Sequence, residues 1–163
     1  MRCTLIAQVE DKPGVLNRVA GLFSRRAFNI ESLTVGHTEK QGVSRMTIVV
    51  DGSQTDTQMV TQNLYKLVNV IKVEDVTGQP SVMRDLALIK VQTKDSGTRS
   101  EVMQVVDTFR AGVVDVGRGA LIVEVTGTEE KVDSLVEVLE PFGILEMVRT
   151  GQVAMIRGGN SKH

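Results

Sequence analysis

The stretch Val9–Val35, VEDKPGVLNRVAGLFSRRAFNIESLTV, decides the fold. It follows an alternating run, Arg2–Glu10, whose period of two is that of a half-buried strand. Val15, Leu16, Val19, Ala20, Leu22 and Phe23 then recur about every 3.6 residues, the stripe of an amphipathic helix. Asn29–Val35 returns to strand character. Lys12-Pro13-Gly14 stands at the handover between strand and helix. Proline suits the first helical turn, where its missing N–H is not needed and its fixed φ is already helical. Gly14 has no Cβ and so permits close approach by a ligand or another backbone.

Outward from this stretch the same units recur. After the polar HTEKQG (His37–Gly42), Val43–Val50 reads as a strand with Met46, Ile48 and Val50 on one face, stopped by Asp51-Gly52. A second helix is predicted over Gln54–Val68, with Val60, Leu64, Leu67 and Val68 as its apolar stripe. A fourth strand, Val70–Val76, ends at Gly78-Gln79-Pro80. The order then begins again with a strand over Leu86–Thr93. Thr98 and Glu101 have capping-box spacing ahead of a helix carrying Val102, Val105, Val106 and Phe109. Val113–Val116 and Leu121–Val125 flank Gly117-Arg118-Gly119, a hairpin turn signal. Thr128 caps a helix with Val132, Leu135, Val136, Leu139 and Phe142, ended by Pro141 and Gly143. Ile144–Val148 is the last core strand, Val153–Ile156 a short edge, and the tail RGGNSKH reads as frayed.

The reading is therefore α+β: two tandem βαββαβ domains, each a four-stranded antiparallel sheet with two helices on one face. The predicted division is 1–78, a linker at 79–83, a second domain at 84–158 and a disordered tail at 159–163. Such small domains bury only about 60–65% of their unfolded surface. Each sheet is expected to leave one face bare, which a second copy of the chain would cover, so a homodimer is expected.

Composition excludes several functions. With net charge −1, four Phe, one Tyr and no Trp, the chain lacks both the basic footprint and the stacking platform of a nucleic-acid binder. Cys3 is the single cysteine and alternates with Leu5, Ala7 and Val9, which reads as a buried strand thiol in a reducing cytoplasm. No apolar run approaches the ~20 residues of a membrane span, and the chain begins in strand pattern without a signal sequence. His37, in a predicted loop, and His163, the last residue, are the only histidines; a Cys/His metal set is absent, and two histidines so placed support no argument for a Ser/His/Asp triad. Glu10 and Asp11 are adjacent carboxylates with no partner to complete an acid/base pair.

What remains is the turn at Pro13-Gly14. The first N–H groups of a helix lack internal partners, and the dipole adds roughly +0.5 charge there, so this end can seat an anion such as a carboxylate. Asp11 is placed to meet an ammonium group. Together they suit a free amino acid. The same residues also read as a tight connection that binds nothing.

The motifs DKPGVLNRVAGLFSRRAFNIESLTVG (Asp11–Gly36), SRMTIVVDG (Ser44–Gly52) and LYKLVNVIKVEDVT (Leu64–Thr77) resemble the small regulatory subunits of acetolactate synthase, also called acetohydroxyacid synthase. FNIESLTVG and SRMT are their most specific parts. The PGVL-x-R signature alone indicates the wider class of ACT domains, which sense amino acids. The resemblance covers essentially the whole chain. It implies an ACT domain followed by a second ferredoxin-like domain. It implies a partner, the separate catalytic (large) subunit, carrying thiamine diphosphate, a divalent metal and FAD. It further implies a branched-chain amino acid effector, usually valine, bound at the ACT dimer interface, with activation of the catalytic chain and feedback inhibition of valine, leucine and isoleucine synthesis. By resemblance the effector residues are Asp11, Gly14, Val15 and Leu16 of one chain with Asn29 and Ile30 of the other. Many members carry Asn where this chain has Asp11. The chain itself is expected to hold no cofactor and no catalytic site. His37–Gly42 is a candidate contact for the catalytic chain, or a plain hairpin connection. The competing readings are a sensor for another enzyme, a nucleic-acid module and a small stand-alone enzyme.

Overall fold

A computed structural model describes residues 2–53 and 56–158. The elements are β1 (Arg2–Glu10), α1 (Val15–Arg25), β2 (Ile30–His37), β3 (Val43–Asp51), α2 (Thr57–Tyr65), β4 (Val70–Asp75), β5 (Ser81–Gln92), α3 (Ser96–Thr108), β6 (Gly112–Val116), β7 (Ala120–Gly127), α4 (Glu129–Leu139), a 3-10 turn (Glu140–Phe142), β8 (Ile144–Arg149) and β9 (Val153–Ile156). Two compact units result: residues 2–82 with 152–158, and residues 83–151. The onset of the second helix at Gln54 and the tail 159–163 lie outside the described residues.

The α+β architecture stands. Both units show one antiparallel order, β2-β3-β1-β4 in the first and β6-β7-β5-β8 in the second, with β9 pairing β5. In the first, Leu5 lies opposite Ile48 and Ala7 opposite Met46. Those residues, with Val9, Val50 and Val73, pack against Val15, Val19, Leu22 and Phe23 of α1 and Val60 and Leu64 of α2. In the second, Ala87, Ile89 and Val91 join Leu121, Val123 and Val125 against α3 and α4. Each fully buried aliphatic side chain contributes roughly 1.5–3 kcal/mol by leaving water.

Several helix ends differ from the sequence reading, among them that of α4, which stops at Leu139 and leaves Pro141 and Phe142 in the 3-10 turn. The N-cap of α3 is Asp95, not Thr98: the Asp95 carboxylate accepts from the Thr98 amide at 2.7 Å, so Thr98 is inside the helix as donor. Helix α2 stops at Tyr65, and Val68, assigned above to its apolar stripe, is 91% exposed. Helix α1 starts at Val15, so Pro13 lies in the turn ahead of it. Thr128 does cap α4, accepting from the Lys131 amide at 3.3 Å. Cys3 is buried, and that burial pushes its thiol above the ordinary value.

The first sheet does not leave a face bare. Thr4, Ile6, Thr47 and Val49 point away from the helices, yet all four are buried. The segment 152–156 is hydrogen-bonded to side chains on the β2 and β3 part of that face. The Gln152 amide donates to Ser32 Oγ at 3.1 Å, Thr34 Oγ1 donates to the Gln152 carbonyl at 3.1 Å, and Arg45 Nη2 donates to the Ala154 carbonyl at 2.8 Å. Ala154 is itself buried. The chain thus closes this face with its own last strand, an event invisible to local periodicity. In the second unit the corner between β5 and β8 is tied by Arg149, which meets buried Asp85 at 2.5 Å and Asp133 at 2.5 Å.

Candidate functional site

Gly14 is the N-cap of α1 with φ +84°, in the left-handed region. A side chain there would be strained whatever its size, although the nearest atom to an added Cβ is Arg18 Nη2 at 3.9 Å. The glycine is thus required first by the backbone, and the space beside it stays open. No side chain caps α1, and its first turn holds no acidic residue. The other three helices carry side-chain caps, Asp56, Asp95 and Thr128. The start of α1 therefore presents amides that no side chain among the described residues caps.

The loop leading to that end is fixed from several directions. The Asp11 amide donates to the Gly42 carbonyl at 2.9 Å, and the Glu10 amide to the Asn69 carbonyl at 2.9 Å. Lys12 Nζ lies 2.8 Å from Glu10 Oε2, and the hydrogen bond from Lys12 holds the Glu10 carboxyl below its usual range. Arg18 donates to Asn69 Oδ1, and Asn69 Nδ2 donates to Glu10 Oε2 at 3.4 Å. Asp11 is exposed, with Oδ2 3.4 Å from His37 Nε2.

The six predicted residues divide. Asp11, Gly14 and Leu16 are on the surface, and Leu16 is 47% exposed. Val15 is buried in the core, so of the expected apolar wall at this end Leu16 alone offers surface. Asn29 and Ile30 follow the other end of α1. Its eleven residues span about 16 Å at 1.5 Å per residue, so one chain does not bring the two groups together. Asn29 is exposed, and Ile30 packs partly against the core opposite Val50. Their position is set by the end of α1: the Phe28 amide donates to the Phe23 carbonyl at 3.0 Å and the Ala27 amide to the Ser24 carbonyl at 3.2 Å. Ala27 takes φ 56°, and the Phe23 and Phe28 rings meet edge to face at 5.8 Å. This is a Schellman ending with its hydrophobic contact.

Three residues at this end were missed by sequence reasoning. Arg18 could have been found, since spacing of four places it one helical turn above Gly14. His37 and Asn69 could not, because only the return of the β2–β3 hairpin and of the α2–β4 connection brings them there. A hollow of about 390 Å³ in the same unit is lined by Thr57, Gln58, Thr61, Gln62 and Asp75, and contains none of the six. Among the described residues no cluster of three or more His, Cys, Asp or Glu is placed to hold a metal, and no helix is long and apolar enough to cross a membrane.

Residues 5–72 match the family described as the AHAS small subunit-like ACT domain, and residues 84–158 match the one described as the small subunit of acetolactate synthase. The acetolactate synthase small subunit of Mycobacterium bovis is 55% identical over 155 residues, covering 95% of this chain and 92% of that protein. That of Bacillus subtilis is 47% identical, covering 99% and 94%. The crystal structure of the small subunit from Thermotoga maritima superposes with a TM-score of 0.91 at 38% identity, covering 98% of this chain and 99% of the other.

Proposed function

The chain belongs to the family of acetolactate synthase small subunits, and on that premise we propose that it is the regulatory partner of a separate catalytic chain. The first unit, residues 2–82 with 152–158, acts as an ACT-type sensor, and residues 83–151 act as the second domain. The chain holds no catalytic site; thiamine diphosphate, a divalent metal and FAD belong to the catalytic chain. Its work is to bind a branched-chain amino acid, valine first among them, between two copies of itself.

The observation that carries this reading is the uncapped start of α1 behind left-handed Gly14. The effector carboxylate sits on the free amides, and Asp11 meets the ammonium group. Leu16 touches the branched side chain. Asn29 and Ile30 of the second copy complete the seat, because one chain holds them a helix length away. An amino acid so held favours only those dimer arrangements that close the pocket. If the catalytic chain prefers a different arrangement, binding at one place weakens function at the other, with a coupling of typically ~1–3 kcal/mol.

Calorimetric titration of the isolated chain with valine, followed by inhibition of the reconstituted holoenzyme, tests this. Wild type should bind and inhibit. Asn29→Ala should keep the fold and lose at least tenfold in valine affinity. Unchanged affinity would remove Asn29 from the site, and wild type that binds no branched-chain amino acid would end the sensor reading. Direct binding to nucleic acid at low salt, the rival on this topology, is expected to be absent.

A further inference from the structure

β2 stands at one edge of the first sheet, beside β3. It begins directly after Asn29, whose carbonyl accepts from the Asp51 amide at 3.0 Å. Ile30 lies opposite Val50 and Ser32 opposite Val49, so two steps along β2 match one along β3. The extra residue is Glu31, whose carboxylate meets Arg2 Nε at 2.5 Å. Such a bulge re-aims the side chains that follow it. Without it, the period of two would set Ser32 on the core face with Ile30. With it, Leu33 packs against the core, while Ser32 and Thr34 fall on the opposite face with Val49 and Thr47. There they hold Gln152. Its amide donates to Ser32 Oγ at 3.1 Å, and Thr34 Oγ1 donates to its carbonyl at 3.1 Å. Both backbone polar groups of Gln152 are thus met by side chains of one strand.

Given the amino-acid seat proposed above, we propose that Ser32 and Thr34 are positioning residues through which an occupied seat fixes the segment 152–156. The seat takes Asn29 and Ile30, and Ser32 follows two residues on, about 7 Å along the strand. An edge strand has a backbone partner on one side only, so its placement answers to whatever else holds it. An amino acid at Asn29 and Ile30 favours one placement of the start of β2. The bulge carries that placement into the two hydroxyls, and the hydroxyls carry it to Gln152, the residue at which the chain leaves the unit 83–151. The coupling is reciprocal, since a held Gln152 favours the β2 placement that the amino acid also favours. Beyond Gln152 the segment has its own anchors. Arg45 Nη2 donates to the Ala154 carbonyl at 2.8 Å, and the Arg157 amide donates to the Pro80 carbonyl at 2.9 Å. Removing both hydroxyls therefore leaves the segment attached and cuts only the relay.

The test uses the full-length chain carrying Ser32→Ala together with Thr34→Val. The readouts are amide exchange, calorimetric titration with valine and inhibition of the reconstituted holoenzyme. In wild type, valine should slow exchange over β9 about tenfold more than over β4, the strand at the opposite edge of the first sheet. The double variant should bind valine within about threefold of wild type, because neither hydroxyl touches the amino acid, and should support the catalytic chain normally without valine. Its excess slowing over β9 should fall below about twofold, and its maximal inhibition should drop by about half or more. Ser32→Thr with Thr34→Ser keeps both hydroxyls and should behave as wild type. Equal slowing of β9 and β4 in wild type would be stabilisation of the whole unit by mass action, and would overturn the relay whether or not the double variant folds. A fully inhibited double variant would overturn it too, as would one that no longer binds valine. A wild-type chain that binds no branched-chain amino acid would end the sensor reading and the relay together, whereas binding without a response in β9 would sink the relay alone.

Discussion

The two sheets share strand order and helix placement but treat their outer faces in opposite ways. The first buries Thr4, Ile6, Thr47 and Val49 and holds the segment 152–156 by hydrogen bonds on that side, while the second leaves Leu86, Leu88 and Val148 exposed. Their first helices also begin differently, α1 without a side-chain cap and α3 on Asp95. The repeated architecture is therefore a frame on which each half is specialised. The first, with its face sealed, offers the end of a helix, suited to a small zwitterion. The second, with its helix starts capped, offers a broad surface suited to another protein.

The sharpest break between them would be a charge set into each face. Ala154→Asp places a carboxylate in the buried layer over the first sheet, where only the Arg45 guanidinium, already bonded to the Ala154 carbonyl, is shown as a charged neighbour. Burial of that kind, with overpacking, should cost roughly 3 kcal/mol. Leu88→Asp on the open face of the second sheet should cost under about 1 kcal/mol in the isolated chain, because the side chain remains in water. Urea unfolding, with amide exchange resolving each unit, reads both. Equal costs would mean that the first face is not sealed, or that the second is not open.

Much of this frame was legible in the sequence, because it is written in local periods. The alternation of Arg2–Glu10, the stripe of α1 and the Gly117-Arg118-Gly119 hairpin each specify themselves. What failed to show were events between distant residues. Nothing around Val153 says that the strand it opens will lie with Ser32, Thr34 and Arg45. Asp95 lost to Thr98 in the reading because the capping-box spacing is satisfied by Thr98 and Glu101 alone, without knowledge of where the strand hands over. The proposed amino-acid site was half legible. Gly14 and Asp11 mark the loop, but Val15 is claimed by the core, as any residue one step past the cap on an inward stripe must be.

A smaller effect tests whether the halves remain alike where function does not separate them. Helices α1 and α3 end in the same Schellman geometry: the Ala111 amide donates to the Val106 carbonyl at 2.9 Å and the Arg110 amide to Asp107 at 3.1 Å, as Phe28 and Ala27 do in the first unit. Both left-handed positions carry ordinary residues, Ala27 at φ 56° and Arg110 at φ 54°. Ala27→Gly and Arg110→Gly should each stabilise their own unit by about 1 kcal/mol, read as rises in urea midpoint. A gain in one unit only would show that one of these ends is held by more than its backbone bonds.

The last difference lies in acid. The Thr98 amide holds the Asp95 carboxyl below the usual range, whereas no side chain caps the start of α1 to do the same there. A carboxyl depressed by folding stabilises fully above its unfolded value of ~3.9, and that contribution is lost as pH falls through the folded value. The start of α3 should therefore loosen as pH drops below about 4, while the start of α1 has no cap of this kind to lose. Asp95→Asn keeps an oxygen for the Thr98 amide but removes the charge. Amide exchange of α3 from about pH 2 to about pH 6 should then lose most of its acid-side slope, with its protection at the upper end little changed. The first unit should keep the separate acid response that Glu10 derives from Lys12. An α3 slope indifferent to the substitution would mean that the cap is held by its geometry alone, and that the two helix starts differ in shape rather than in charge.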